Sequence, residues 1–210
     1  MSQQHCPLCT SEASHFYQDR RTFYQCTHCK GVFVDKSHYP SGSSELARYE
    51  THNNDVNDPG YQQFVSPITT HILKNFQPSA SGLDYGAGPG PVITKLLSEQ
   101  GYQLELYDPF YAAEPAVLKK KRDFIVCCEV IEHFHNPAEE FQLLHGLFHP
   151  HGQLVCMTDL YHEALDFDKW YYKNDETHVF FYHRESLEYI QEAFGFSDLH
   201  VDGRLVVFSA

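Results

Sequence analysis

Nowhere do apolar residues run on for the roughly 18 positions that a membrane-crossing helix needs, so no membrane insertion is expected. Basic residues are scarce: 15 Lys and Arg stand against 28 Asp and Glu, a formal net charge of −13. That balance argues against a large phosphate-binding surface and makes nucleic acid an unfavoured partner. The opening residues Ser2-Gln3-Gln4-His5 have neither a basic segment nor an apolar one behind it, and do not read as a signal peptide. A soluble, cytoplasmic protein is the expectation. What the chain does have, 210 residues that are 42% hydrophobic and 15% aromatic, suffices for one α/β domain with a packed core plus a small module.

Seven cysteines in a chain read as intracellular point to thiol or metal chemistry rather than disulfides. Cys6-Pro7-Leu8-Cys9 and Cys26-Thr27-His28-Cys29 are two C-x₂-C knuckles separated by sixteen residues. Each presents two thiolates from one tight turn, and together they close a tetrahedron around a zinc ion. Residues 1–40 are therefore expected to be a zinc ribbon, with Ser14 to Tyr24 as the hairpin joining its knuckles. All four ligands being thiolates, no position is left for water, and the Zn²⁺ should be structural. So small a module needs its metal to fold. Cys127, Cys128 and Cys156 fall in predicted strands and read as small buried apolar residues.

Residues 41–80 are expected to be a linker with helical pieces. Pro40 to Ser44 is a loop, Glu45 to Tyr49 a short helix, and Thr51 to Tyr61 a polar, turn-forming run. Helical spacing of Phe64, Ile68, Ile72, Leu73 and Phe76 predicts one helix over Tyr61 to Phe76, ended by Pro78.

From residue 81 onward strands and helices alternate. Leu83-Asp84-Tyr85 leads into Gly86-Ala87-Gly88-Pro89-Gly90-Pro91, and Val92, Ile93, Leu96 and Leu97 then repeat with helical period. Glycines in such a turn let the main chain approach a ligand closely, and the helix start behind it suits an anion. A dinucleotide fingerprint would need a third glycine at position 91, where Pro91 stands. Further strands are expected at Gln103–Tyr107, Asp123–Val130 and Gly152–Thr158. Helices are expected from Asn136, its N-cap, to Leu147 and over Glu185–Phe194, before a hairpin of Phe196–Val201 with Arg204–Phe208. The fold class is α/β, a Rossmann-like doubly wound sheet. Asp108 ends the second strand 22 residues beyond Gly86, where a carboxylate can accept from ribose hydroxyls; as Asp-Pro it can equally be a turn former.

The run from Leu83 to Gly90 resembles motif I of the class I S-adenosylmethionine-dependent methyltransferases. Asp123 to Pro137, of the form D-x-(I/V)-x-x-x-E-V-x-E-H-x-x-x-P, is similar to a stretch widespread among them, in particular in the ubiquinone-type, methyltransferase-23-like branch. The resemblance covers about residues 62–210. It implies S-adenosylmethionine as cofactor, cradled by Gly86, Ala87, Gly88 and Gly90, its amino end held by Asp84 through water and its ribose by Asp108, with Glu129 alongside. In two related branches an E-x-x-E-H stretch and a later histidine bind a divalent metal. By that likeness Glu129, Glu132, His133 and His178 would hold a cation such as Mg²⁺ against the acceptor hydroxyl. The metal-free alternative makes His133 or His178 the general base. The segment before the glycine loop often forms a lid in this family, which makes Arg48, Tyr49, His52 and Tyr61 lid candidates; a plain linker is the alternative.

Only fourteen residues separate Asp108 from Asp123, where the family fits a third strand between two helices. Six strands rather than seven are expected, and no adenine-contacting residue can be named. Trp170, Tyr171 and Tyr172 with Phe167, Phe180, Phe181 and Tyr182 form either an aromatic acceptor wall or core. The favoured activity is O-methylation of a small phenolic, quinol or other hydroxylated metabolite. Rival readings are an RNA methyltransferase that uses the ribbon for RNA, and a non-catalytic ribbon protein that binds no cofactor. No feature fixes an oligomeric state or a partner for the ribbon.

Overall fold

The computed structural model describes residues 4–51 and 55–210; His52, one of the lid candidates, lies outside them. Two sheets organise the described residues. The first holds the N-terminal strands β1 (Gln4–His5), β2 (Glu12–Gln18), β3 (Thr22–Cys26) and β4 (Val32–Val34), all antiparallel. β2 and β3 are the hairpin expected between the knuckles. This sheet does not stop at residue 40. Its last member is β9 (Phe180–Phe181), which pairs antiparallel with β4 through Val32–Phe181 and Phe33–Phe180.

Three helices follow: α1 (Gly42–Tyr49), capped by the Ser41 hydroxyl, α2 (Pro59–Phe64), capped by Asp58, and α3 (Ser66–Asn75). The single helix expected over Tyr61 to Phe76 is thus two. Pro67 lacks the N–H that would continue the helical ladder, and the chain turns at Val65, which is buried.

The larger sheet runs in the order β10-β11-β8-β7-β5-β6. Its members are β5 (Ser81–Tyr85), β6 (Gln103–Tyr107), β7 (Arg122–Cys128), β8 (Phe148–Met157), β10 (Asp198–Asp202) and β11 (Leu205–Ser209). β6, β5, β7 and β8 are parallel, and β11 and β10 close the sheet antiparallel. Six strands are present, as the short β6–β7 connection implied. That connection contains a 3₁₀ turn over Pro115–Lys119, and the guanidinium of Arg122 ties it down through the Val117 carbonyl and Glu105. β7 lies between β5 and β8, and its Phe124, Ile125, Val126 and Cys127 are all buried, as a strand covered on both faces requires.

Helices cover both faces: α4 (Val92–Ser98) with α2 and α3 on one, α5 (Pro137–Gly146) and α6 (Arg184–Phe194) on the other. Asn136 stands at the N-cap position of α5, yet its side chain makes no capping bond. β8 begins four residues before the expected Gly152, and β7 ends at Cys128 rather than Val130. The chain leaves β5 for β6 on one side and returns to β7 on the other. In open α/β sheets the crevice at such a switch is where ligands bind.

Candidate active site

A cavity of about 890 Å³ opens at that switch point, above the carboxyl ends of β5, β6 and β7. The loop after β5 forms its floor. Gly86 has φ +77° and a Cβ placed there would lie 2.5 Å from a methyl of Val130, so glycine is required both by conformation and by space. Gly88 also has positive φ, +60°, but nothing stands within 4 Å of where a Cβ would be. Glycine is thus called for at Gly88 by its backbone conformation and not by packing, and the space beside it opens into the cavity. Ala87, Gly90 and Asp108 line the same cavity.

Asp108 is a turn former and a cavity wall at once. One carboxylate oxygen accepts from the Gly88 amide at 2.9 Å, the other from the amides of Phe110 and Tyr111 at 2.8 and 3.0 Å. Three of the roughly four acceptor positions of the carboxylate are therefore taken by main chain, leaving about one for a ligand. Asp84 lies beneath the loop and is absent from the cavity wall. It accepts a hydrogen bond from the Thr94 hydroxyl at 2.8 Å, and burial raises its pKa to about 6.

Past β7 the backbone reverses tightly. Glu129 adopts the left-handed conformation, φ +53°, unusual for a side chain with a Cβ and a form of strain that gathers at functional sites. Its Oε2 accepts from Arg204 at 2.5 Å, while Oε1 is buried without a hydrogen-bond partner among the described residues. Burial, with the charge of Glu132 adding to it, raises the Glu129 pKa to about 7 against the pull of Arg204. Glu132, on the 3₁₀ turn Ile131–His133, is 0% exposed and also raised to about 7 by burial. Hydroxyls of Tyr172 and Thr158 donate to its two oxygens.

The two histidines are held alike. Nδ1 of His133 sits 3.0 Å from the Thr177 carbonyl, and Nδ1 of His178 sits 2.8 Å from the Tyr172 carbonyl. A carbonyl only accepts, so each Nδ1 carries the proton and each Nε2 keeps a lone pair. Burial lowers both pKa values, that of His178 to about 3, so both rings are neutral near pH 7. The rings meet edge to face at 4.8 Å, and both line the cavity.

Glu132, His133 and His178 bring one ligand atom each to within 4.8 Å of one another. Glu129, expected to join them, is instead held away by Arg204. That pairing spans 75 residues and nothing local announces it. Arg204 also donates to the Tyr171 hydroxyl and stacks over Phe64 and Tyr172; it does not line the cavity itself but holds four residues that do, a role sequence reading missed.

Three of the four lid candidates lie in the described residues. Arg48, Tyr49 and Tyr61 all line the cavity; Arg48 pairs with Asp175 at 2.7 Å, and the Tyr49 hydroxyl lies 3.4 Å from Nδ1 of His133. Most of the expected aromatic wall is core: Phe167, Trp170, Phe180, Phe181 and Tyr182 are buried away from the cavity, and only Tyr171, 61% exposed, and Tyr172 reach it.

Away from the cavity, the sulfurs of Cys6, Cys9, Cys26 and Cys29 all lie within 4.8 Å of one another, the pairs Cys6–Cys29 and Cys9–Cys26 at 3.7 and 3.3 Å. The amides of His28 and Cys29 point at the Cys26 sulfur, both at 3.4 Å. Cys127 and Cys156 are buried and Cys128 borders the cavity.

No curated protein matches the chain in sequence. Among solved structures, magnesium protoporphyrin IX methyltransferase from Synechocystis with bound S-adenosylhomocysteine aligns at 16% identity and TM-score 0.56, covering 80% of this chain and 94% of that one. The 1,6-didemethyltoxoflavin-N1-methyltransferase of Burkholderia thailandensis, with its substrate and S-adenosylhomocysteine bound, aligns at 16% identity and TM-score 0.56 over 93% of this chain and 97% of that one. An S-adenosylmethionine-dependent methyltransferase from Archaeoglobus fulgidus gives the same identity and score over 71% and 94%. Identities this low speak for the fold alone. The family model of the methyltransferase domain, however, matches residues 59–201, and on that match, well over half of its length, this chain belongs to the S-adenosylmethionine-dependent methyltransferases of class I fold.

Proposed function

We propose that the enzyme methylates an oxygen of a small hydroxylated acceptor, and that His178 and His133 manage the acceptor's proton. The observation that carries this reading is the pair of neutral imidazoles with bare Nε2 atoms on the cavity wall. A hydroxyl is a weak nucleophile until its proton is drawn off, and a neutral imidazole within reach is suited to doing so near pH 7. An aromatic amine is neutral near pH 7 and its nitrogen can attack before losing a proton, so such an acceptor has less need of this pair of bases.

S-adenosylmethionine supplies an electrophilic methyl group on a sulfonium centre. The open cradle at Gly88 and the remaining acceptor position of Asp108 fit its nucleoside end. The unpartnered Oε1 of Glu129 fits its ammonium group. A cavity of about 890 Å³ has room for a cofactor of this size with a compact acceptor beside it. Tyr171, Tyr172 and Tyr49 would then offer the acceptor flat, amphipathic surfaces, which suits a phenol or quinol.

The same site has the donors of a metal centre. Two neutral imidazole nitrogens and one buried carboxylate, each with its other atoms tied by hydrogen bonds, match the pattern of ligands oriented from behind. This is a nitrogen-rich set, better suited to zinc or iron than to Mg²⁺, which favours oxygen. A divalent ion there would lower the pKa of the acceptor hydroxyl. In the ribbon, four sulfurs about a zinc ion at ~2.3 Å would stand ~3.8 Å apart. The sulfur pairs at 3.3 and 3.7 Å are close to that spacing, and Zn²⁺ at Cys6, Cys9, Cys26 and Cys29 is part of this reading.

A panel of phenols, catechols, hydroxy acids and aromatic amines, offered with methyl-labelled S-adenosylmethionine, tests the acceptor class. Label transferred to oxygen on hydroxylated members supports the reading; transfer confined to amine nitrogen overturns it.

A further inference from the structure

The tip of the β2–β3 hairpin carries Arg21, a residue that is 5% exposed although it lies in a turn. Asp19 fixes the turn, its carboxylate accepting from the Arg21 amide at 2.7 Å. The Arg21 guanidinium is pushed into the loop that follows Tyr172. It donates to the main-chain carbonyls of Glu176 and His178, at 3.3 and 3.0 Å, and to that of Lys173. The loop is wrapped so that three carbonyls converge on one planar cation. Its outer side presents Asn174, Asp175 and His178 to the cavity.

Two more anchors run from the ribbon along the same stretch. Just beyond His178, the Val34 amide donates to the Val179 carbonyl at 2.9 Å, and the Val179 amide donates to the carbonyl of Glu132, also at 2.9 Å. At the knuckle, the Ser186 hydroxyl donates to the Cys29 carbonyl at 2.7 Å. Gly31 lets Phe180 come so close that a Cβ there would meet the ring at 2.5 Å. Between these anchors Phe23, Val32 and Val34 of the ribbon pack with Phe167, Trp170 and Phe181 as one apolar cluster.

We infer that the ribbon is a built-in brace of the active site, and that Arg21 is the positioning residue through which it fixes His178. The guanidinium holds the carbonyls of residues 173, 176 and 178 at one point. The loop between them therefore has one shape, and in that shape the Tyr172 carbonyl meets Nδ1 of His178 and leaves Nε2 bare. A ribbon used to dock nucleic acid would keep the basic residues of its tip free. Here Arg21 is turned inward, and Arg20 beside it, although exposed, pairs with Glu176 at 2.8 Å and donates to the Asn174 carbonyl, so both arginines of the tip engage the same loop. The inference rests on the assignment of His178 to the acceptor side of the cavity.

The test uses full-length, zinc-loaded protein and needs no acceptor. Wild type, Arg21→Met and Arg21→Lys are compared by amide hydrogen exchange and by long-range ¹H–¹⁵N spectra of histidine-labelled protein at one fixed pH. S-adenosylhomocysteine is titrated in parallel. In Arg21→Met, protection of residues 173–179 should fall by about tenfold or more, and His178 should change from one tautomer to a mixture. Affinity for S-adenosylhomocysteine should stay within about threefold, since the glycine loop is remote from the brace. Arg21→Lys, with one compact ammonium in place of a fork, should fall between the two. Millimolar guanidinium ion should restore the His178 signal in Arg21→Met. An unchanged tautomer and unchanged protection in Arg21→Met overturn the inference, as does equal, global loss of protection in both variants. Failure of cofactor binding in wild type would instead strike at the functional reading, which the titration reports separately.

Discussion

Nε2 of His178 stands 4.0 Å from Oε1 of Glu132, too far for a hydrogen bond and close enough for both to serve one group placed between them. Tyr172 donates to that same Oε1 and Thr158 to Oε2, while the Tyr172 carbonyl accepts from Nδ1 of His178. A carboxylate oxygen has room for a second donor, so Oε1 and the lone pair of Nε2 can still serve one group between them. His178→Asn is expected to slow methyl transfer by roughly 10²–10⁴-fold while cofactor affinity holds. Raising the pH should recover part of the loss with a phenolic acceptor, which then ionises unaided. Rates measured between pH 7 and 10 check this; an undiminished rate at pH 7 contradicts it.

Gly86 and Gly88 should separate stability from binding. Gly86→Ala forces a Cβ into Val130 at a backbone angle that disfavours it, and should destabilise the fold by about 2–4 kcal/mol. Gly88→Ala meets open space and should cost about 1 kcal/mol, yet lower S-adenosylhomocysteine affinity by about tenfold or more as the methyl enters the cradle. Urea unfolding and calorimetric titration of the two variants decide it.

Asp84 offers a pH signature. Its folded pKa of about 6 lies above the unfolded 3.8, so its contribution is fully present below pH 3.8 and is lost as pH rises through 6. In ligand-free protein, Asp84→Asn removes that penalty and should be more stable than wild type at pH 7.5 by roughly 1–3 kcal/mol. The advantage should shrink toward zero near pH 4. Equal destabilisation at both values would show that the Thr94 bond, not the buried charge, dominates.

The glycine loop, the six-strand sheet and the knuckles were legible in the sequence because each is local: spacing, periodicity or the length of one connection encodes it. The break at Val65 was also local, written in Pro67, but the helical period of Phe64, Ile68 and Ile72 continues through it and hides it. The Arg204–Glu129 pair and the two-residue strand β9 were not legible. Both are contacts between distant segments, and two residues of strand carry no period. The aromatic run 167–182 could be read as wall or as core, and it is mostly core because the ribbon covers it.

Trp170 is the sole tryptophan and packs with Phe23, Val32 and Val34 of the N-terminal strands, so its fluorescence reports on whether those strands stay seated. Denaturing the purified protein in the presence of a zinc-sensitive dye should release about one zinc per chain. Chelation under native conditions should shift Trp170 emission to the red as the brace loosens. A chain free of zinc with the same emission as the loaded one contradicts a structural metal.

The most direct measurement is calorimetric titration of S-adenosylhomocysteine into zinc-loaded wild type and Asp108→Asn. Micromolar binding to wild type, weakened about tenfold or more in the variant, is the expected result. No heat of binding to wild type at millimolar ligand would contradict the claim that the cavity over the glycine loop is a working cofactor site.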